Sequence, residues 1–123
     1  MGYFLDTFAL VELLKGHPDT ARFRRGDEVT SLLNLCELFY YGLSHRAEGP
    51  CREVCRRMAE RTLELENDLI EPAMRLRQRL REAGRDLSYI DAIGYSLARH
   101  HGYIFVSSEE FEGLPGVEVL RAR

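Results

Sequence analysis

Short apolar runs and longer stripes of helical spacing alternate along this chain. Residues 2–5, Gly-Tyr-Phe-Leu, suit a buried strand. Phe8, Val11, Leu13 and Leu14 then recur at helical intervals, and Gly16 and Pro18 mark the stop. Residues 28–31, Glu-Val-Thr-Ser, give a second short strand. Leu32 to Leu43 reads as a helix, with Leu32, Leu33, Leu35, Cys36, Phe39, Tyr40 and Leu43 along a wide apolar stripe. Gly49-Pro50 breaks the chain. Residues 51–61 read as a polar helix with Cys51, Val54, Cys55 and Met58 on one face.

Residues 62–66 alternate polar and apolar, as in a strand with one exposed face. Asn67 or Asp68 caps the following helix, Pro72 sits early in it, and Gly84 closes it. Its apolar stripe is Leu69, Ala73, Leu76 and Leu80. Ser88 begins another helix, and Ser88-x-x-Asp91 has the spacing of a capping box. That helix reaches about His101 and stops at Gly102. Tyr103–Val106 is the most strand-like stretch, residues 107–111 form a loop or turn, and residues 117–120 a last strand. Strands separated by helices cannot pair as hairpins. The expected fold class is therefore α/β, a mostly parallel sheet with helices on both faces.

The chain has 123 residues, enough for a single domain over 1–123. At 45% hydrophobic residues it can fill a core. No apolar run approaches the roughly 20 residues of a membrane helix, and no secretory signal pattern opens the chain. The expected location is the cytoplasm, with no membrane partner. Net charge is −3, which does not advertise nucleic-acid binding. Lys15 is the single lysine, so the basic residues are otherwise arginines, and Arg75, Arg77, Arg79, Arg81 and Arg85 cluster. They could guide a polyanion, or be only the solvated side of a helix. Cys36 reads as core, and Cys51 and Cys55, without a CxxC, make neither a disulfide framework nor a zinc site.

The acids say more. Asp6 follows the first strand. Glu37 and Asp91 each lie in apolar surroundings with no lysine or arginine within four residues. Glu109 and Glu110 follow the Ile104-Phe-Val-Ser-Ser108 stretch. In an open parallel sheet, ligands bind beyond the carboxyl ends of the strands. Converging carboxylates without cations repel one another, and divalent ions resolve that repulsion. Such a site suits phosphodiester hydrolysis with Mg²⁺ or Mn²⁺. Each acid also has a plainer reading. Asp6 can cap a helix, Glu37 can face solvent, Asp91 can serve only its capping box, and Glu109 and Glu110 can be loop acids. His17, His45, His100 and His101 are candidates for acid–base or metal work, although His100 and His101 also suit a helix C-terminus.

The order FLDT, then Glu37 in NLCELFYYG, then LSYIDAIGYSLARHHG, then IFVSSEEF and PGVEVL, resembles the PIN-domain ribonucleases, in particular VapC-like toxins of toxin–antitoxin pairs. The likeness runs from Gly2 to Leu120. It implies a three-layer α/β/α fold with a five-stranded, mainly parallel sheet. It also implies that Asp6, Glu37 and Asp91 are metal ligands and catalytic acids, with Mg²⁺ or Mn²⁺ as cofactor. The family's Thr/Ser-x-Asp after the fourth strand reads Ser107-Ser108-Glu109 here, so Glu109 takes the fourth place, one methylene longer. Thr7 and Ser107 match supporting hydroxyls. The resemblance further implies an RNA substrate, an antitoxin partner and a homodimer. The rival readings are a PIN-like protein that binds RNA or a partner without cutting, a housekeeping RNA-processing nuclease, and a phosphoacceptor domain. The last needs a lysine at the acids, and Lys15 lies a helix away from Asp6.

Overall fold

The computed structural model describes residues 2–121. Its sheet is parallel. β1 (Tyr3–Leu5) pairs with β2 (Ile104–Ser107), with Leu5 opposite Val106, and β2 pairs with β3 (Val117–Val119). Alternate side chains of a strand point to opposite faces. Phe4 and Phe105 therefore enter one core with Leu80, Leu87, Tyr95 and Leu97. Leu5 and Val106 enter the other, with Leu10, Leu35, Leu38 and Val54.

Helices cover both faces. α1 (Thr7–Leu14), α2 (Leu32–Ser44) and α3 (Glu48–Met58) supply the Leu5 side, while α4 (Ile70–Glu82) and α5 (Tyr89–His101) supply the Phe4 side. The expected three layers are present. The five expected strands are not all formed. Among the described residues, 28–31 and 62–66 contribute only single parallel bridges, Phe4 to Val29 and Thr30 to Thr62. The reason is local. Val29 exchanges backbone bonds with Tyr3 and Leu5, but the Leu5 carbonyl then receives the Thr30 hydroxyl at 2.7 Å. Ser31 already caps α2, so no further rung can follow. The outcome is three strands with two bridged segments in succession beyond β1.

Two further expectations shift. Gly49-Pro50 does not break the chain. Both residues lie in the first turn of α3, where a proline removes no intrahelical hydrogen bond. Cys36 is exposed rather than in the core. α2 buries a narrower edge than its apolar stripe suggested, through Leu35 and Leu38, and leaves Leu32 63%, Tyr40 71% and Leu43 53% exposed.

α2 and α3 approach closely at Gly42. A Cβ there would lie 2.9 Å from the Cβ and Sγ of Cys51, which is fully buried. Gly42→Ala gains about 1 kcal/mol of helix propensity but forces the two helices apart. The variant is expected to be less stable by about 1–2 kcal/mol. Urea unfolding followed by circular dichroism measures the change, and an unchanged midpoint would contradict this packing.

Candidate active site

The order of the sheet places a crevice beyond the carboxyl ends of β1 and β2. From β1 the chain proceeds to the 29–30 segment on one side, and from β2 to β3 on the other. Such a reversal is where open parallel sheets bind ligands. A cleft of about 730 Å³ opens there, lined among others by Asp6, Glu37, Asp91, Ser107 and Glu110. Among the described residues, no lysine or arginine lines it.

Asp6 sits at the floor, 3% exposed. It is the N-cap of α1, and its Oδ1 accepts the Ala9 N–H at 2.9 Å. Its Oδ2 accepts the hydroxyl of Ser107, from the end of β2. Burial pushes the Asp6 carboxyl up to about 7. The bonds from Ser107 and Ala9 pull against that rise, and the charges of Asp91 and Glu37 add to it.

Glu37 projects from the middle of α2. Its Oε1 accepts the Thr7 hydroxyl at 2.5 Å. Thr7 in turn accepts from Asn34 Nδ2 at 3.1 Å, and Asn34 Oδ1 accepts the Ser31 hydroxyl at 2.6 Å. Asn34 is 1% exposed and was not singled out in the sequence. The signal was available: an asparagine one turn before Glu37, inside an otherwise apolar helix. Asp91 arrives on α5 through the expected capping box, in which Oδ2 accepts the Ser88 N–H at 3.1 Å and Oδ1 is left over. Gly94, one turn further on, lets α5 lie close. A Cβ there would be 3.3 Å from Phe4 and 3.5 Å from Asn34 Oδ1.

The remaining candidates divide. Glu110, not Glu109, lines this cleft. The Glu109 carboxylate is 2.9 Å from Arg121, which also holds Glu112 at 2.6 Å. Arg85 donates to the carbonyls of Glu110 and Glu112, so two arginines fix the turn that presents Glu110. Arg85 is thereby occupied, as is Arg77, whose guanidinium lies 4.2 Å from the Tyr89 ring centroid. His17 is buried away from the cleft lining. Its Nδ1 accepts from the Asp19 N–H, so Nε2 carries the proton and donates to the Arg121 carbonyl at 2.7 Å. His45 stacks on Tyr41 at the rim.

The donor set fits a hard divalent ion. Asp6, Glu37, Asp91 and the hydroxyls of Thr7 and Ser107 supply oxygen donors, and among the described residues no lysine or arginine in the lining neutralises them. Among the described residues, the oxygens of Asp6, Glu37 and Asp91 do not draw together to within 4.8 Å as a trio. Each is tied to a neutral donor instead.

Comparison with known proteins bears on the family and the fold. The sequence matches the PIN domain over residues 3–110. The chain belongs to the PIN domain family. Solved structures similar to this PIN domain include a toxin–antitoxin complex from Klebsiella pneumoniae, at 21% identity and a TM-score of 0.74, covering 96% of this chain and 97% of that one. VapBC2 from Rickettsia felis, bound to a promoter DNA fragment, has 19% identity, a TM-score of 0.74 and 100% coverage of both chains. DNA-bound VapBC from Salmonella typhimurium has 21% identity, a TM-score of 0.74 and 98% coverage of both. At these identities the likeness is one of fold. No curated protein matches the sequence. No helix among the described residues is long and apolar enough to cross a membrane.

The raised Asp6 pKa has a consequence for metal-free stability. An unfolded aspartate ionises near 3.8, the folded one near 7. The folded state therefore holds its proton longer, and stability falls as pH rises between those values. Asp6→Asn keeps the cap without the charge. In EDTA the variant is expected to melt above the parent at pH 8, with the difference vanishing towards pH 4. Thermal melts across that range check it, and a constant difference would contradict the buried-acid assignment.

Proposed function

We propose that this PIN domain is a metal-dependent endoribonuclease that hydrolyses RNA phosphodiester bonds and acts as the toxin of a toxin–antitoxin pair. One observation carries the reading: Asp6, Glu37 and Asp91, from three separate elements, line one cleft that no lysine or arginine among the described residues lines. Family membership supports it. Asp6, Glu37 and Asp91 would hold Mg²⁺ or Mn²⁺. Such an ion, when bound, supplies activation of water and charge relief at the leaving oxygen.

The chain's own groups do the positioning. Ser107 and the Ala9 N–H aim Asp6, the Ser31–Asn34–Thr7 chain aims Glu37, and the capping box aims Asp91 while leaving Oδ1 for coordination. Glu110 stands at the rim where a carboxylate can orient the attacking water. Glu109 was the sequence candidate for that place, but its charge is engaged by Arg121. Water attacks phosphorus, the ribose 3′-oxygen leaves, and the product carries a 5′-phosphate.

The partners follow the same reading. The similar structures are toxin–antitoxin and VapBC assemblies, which supports a cognate antitoxin. Leu32, Phe39, Tyr40 and Leu43 on α2, with Cys55 and Ala59, form an apolar face beside the cleft that such a protein, or a second copy of this chain, could cover. Cytoplasmic location belongs to this proposal.

Removal of partners that orient metal ligands typically costs 10–100-fold, so loss of a ligand should cost about a hundredfold or more. Asp6→Asn and Glu37→Gln are each expected to lower Mn²⁺-dependent cleavage of a single-stranded RNA by at least that factor. Glu110→Gln should lower it more than Glu109→Gln. Cleavage by Asp6→Asn that persists in EDTA would overturn the scheme. Mn²⁺ binding without cleavage by the parent chain would favour a binding protein instead.

A further inference from the structure

Outside the cleft, one group of side chains has the composition and closeness of a ligand set. Glu66, His100 and His101 each present one ligand atom, and all three atoms lie within 4.8 Å of one another. They come from two elements. Glu66 precedes the single turn Asn67–Leu69 that leads into α4, and the histidines are the last two residues of α5. His101 Nε2 is 3.2 Å from Glu66 Oε1. The His100 ring stands edge-on to that of His101, with centroids 4.9 Å apart. An ordinary histidine–carboxylate pair accounts for two of these groups. It does not account for a third donor turned to the same point.

We propose that Glu66, His100 and His101 form a surface site for a borderline transition-metal ion, with Zn²⁺ the best match. Imidazole nitrogens select such ions over Mg²⁺ and Ca²⁺, whereas Asp6, Glu37 and Asp91 in the cleft offer only oxygen. Around a tetrahedral zinc with bonds of about 2.0–2.1 Å, ligand atoms sit roughly 3.4 Å apart. The three side chains are exposed, so rotamer adjustment closes that gap without moving the backbone. Water takes the remaining position.

The site is separate from the cleft. Asp91 is near the start of α5 and His101 at its end, about 15 Å further along at 1.5 Å per residue. Its effect is structural: the ion ties the entry of α4 to the exit of α5, the two helices that cover the Phe4 side of the sheet. It is therefore independent of the nuclease proposal.

Isothermal titration of the full chain with Zn²⁺, in excess Mg²⁺ to occupy oxygen-only sites, tests it. One equivalent is expected to bind. His101→Asn and Glu66→Gln should each weaken binding at least tenfold, while their zinc-free melting temperatures stay at the parent value. Zinc at a hundred times the parent's dissociation constant should raise the parent's melting temperature by about 5 °C or more and each variant's by about half as much or less. Undiminished uptake in both variants, or uptake lost only in Cys36→Ser, would overturn the assignment, as would absence of binding by the parent.

Discussion

The structure turns on one buried carboxylate. Asp6 is the residue at which β1 becomes α1, and it satisfies the first turn of that helix through the Ala9 N–H. Its other oxygen reaches Ser107 at the end of β2, so the two central strands are joined at their carboxyl ends by a side chain. Burial among other acids makes its negative charge costly without a counter-ion. Local folding, sheet closure and the cost of a buried charge therefore reside in the same group.

The other acids are positioned by devices of comparable economy. Glu37 depends on a chain of neutral donors that begins at the cap of its own helix, with Ser31, and passes through Asn34 to Thr7. Asp91 depends on a capping box. Among the described residues, neither is restrained by a salt bridge. A basic side chain near these carboxylates would compete with the metal of the proposed function, so neutral hydrogen bonds are the support compatible with that proposal.

Much of this was legible in the residues. The alternation of apolar runs and helical stripes gives the layer order, because a parallel sheet demands crossovers. The isolation of Glu37 and Asp91 from any basic residue pointed to the cleft, and the Ser88–Asp91 box formed as its spacing suggested. What was hidden depended on three-dimensional neighbours. The strand at 28–31 shrinks to a single bridge on β1 where the Thr30 hydroxyl takes the Leu5 carbonyl, a contact no hydrophobic pattern records. Cys36 is exposed because α2 rests on Leu35 and Leu38 rather than on the centre of its stripe. Adjacent glutamates are indistinguishable by type, so only the grip of Arg121 separates Glu109 from Glu110.

That grip reaches beyond one side chain. Arg121 gives its carbonyl to His17 and its guanidinium to Glu109 and Glu112. The end of the described chain is thus fastened both to the segment behind α1 and to the turn beside the cleft. A tag or fusion partner that pulls this strap aside would loosen the rim from a distance. Placement of added sequence on this protein is therefore a choice about the cleft itself.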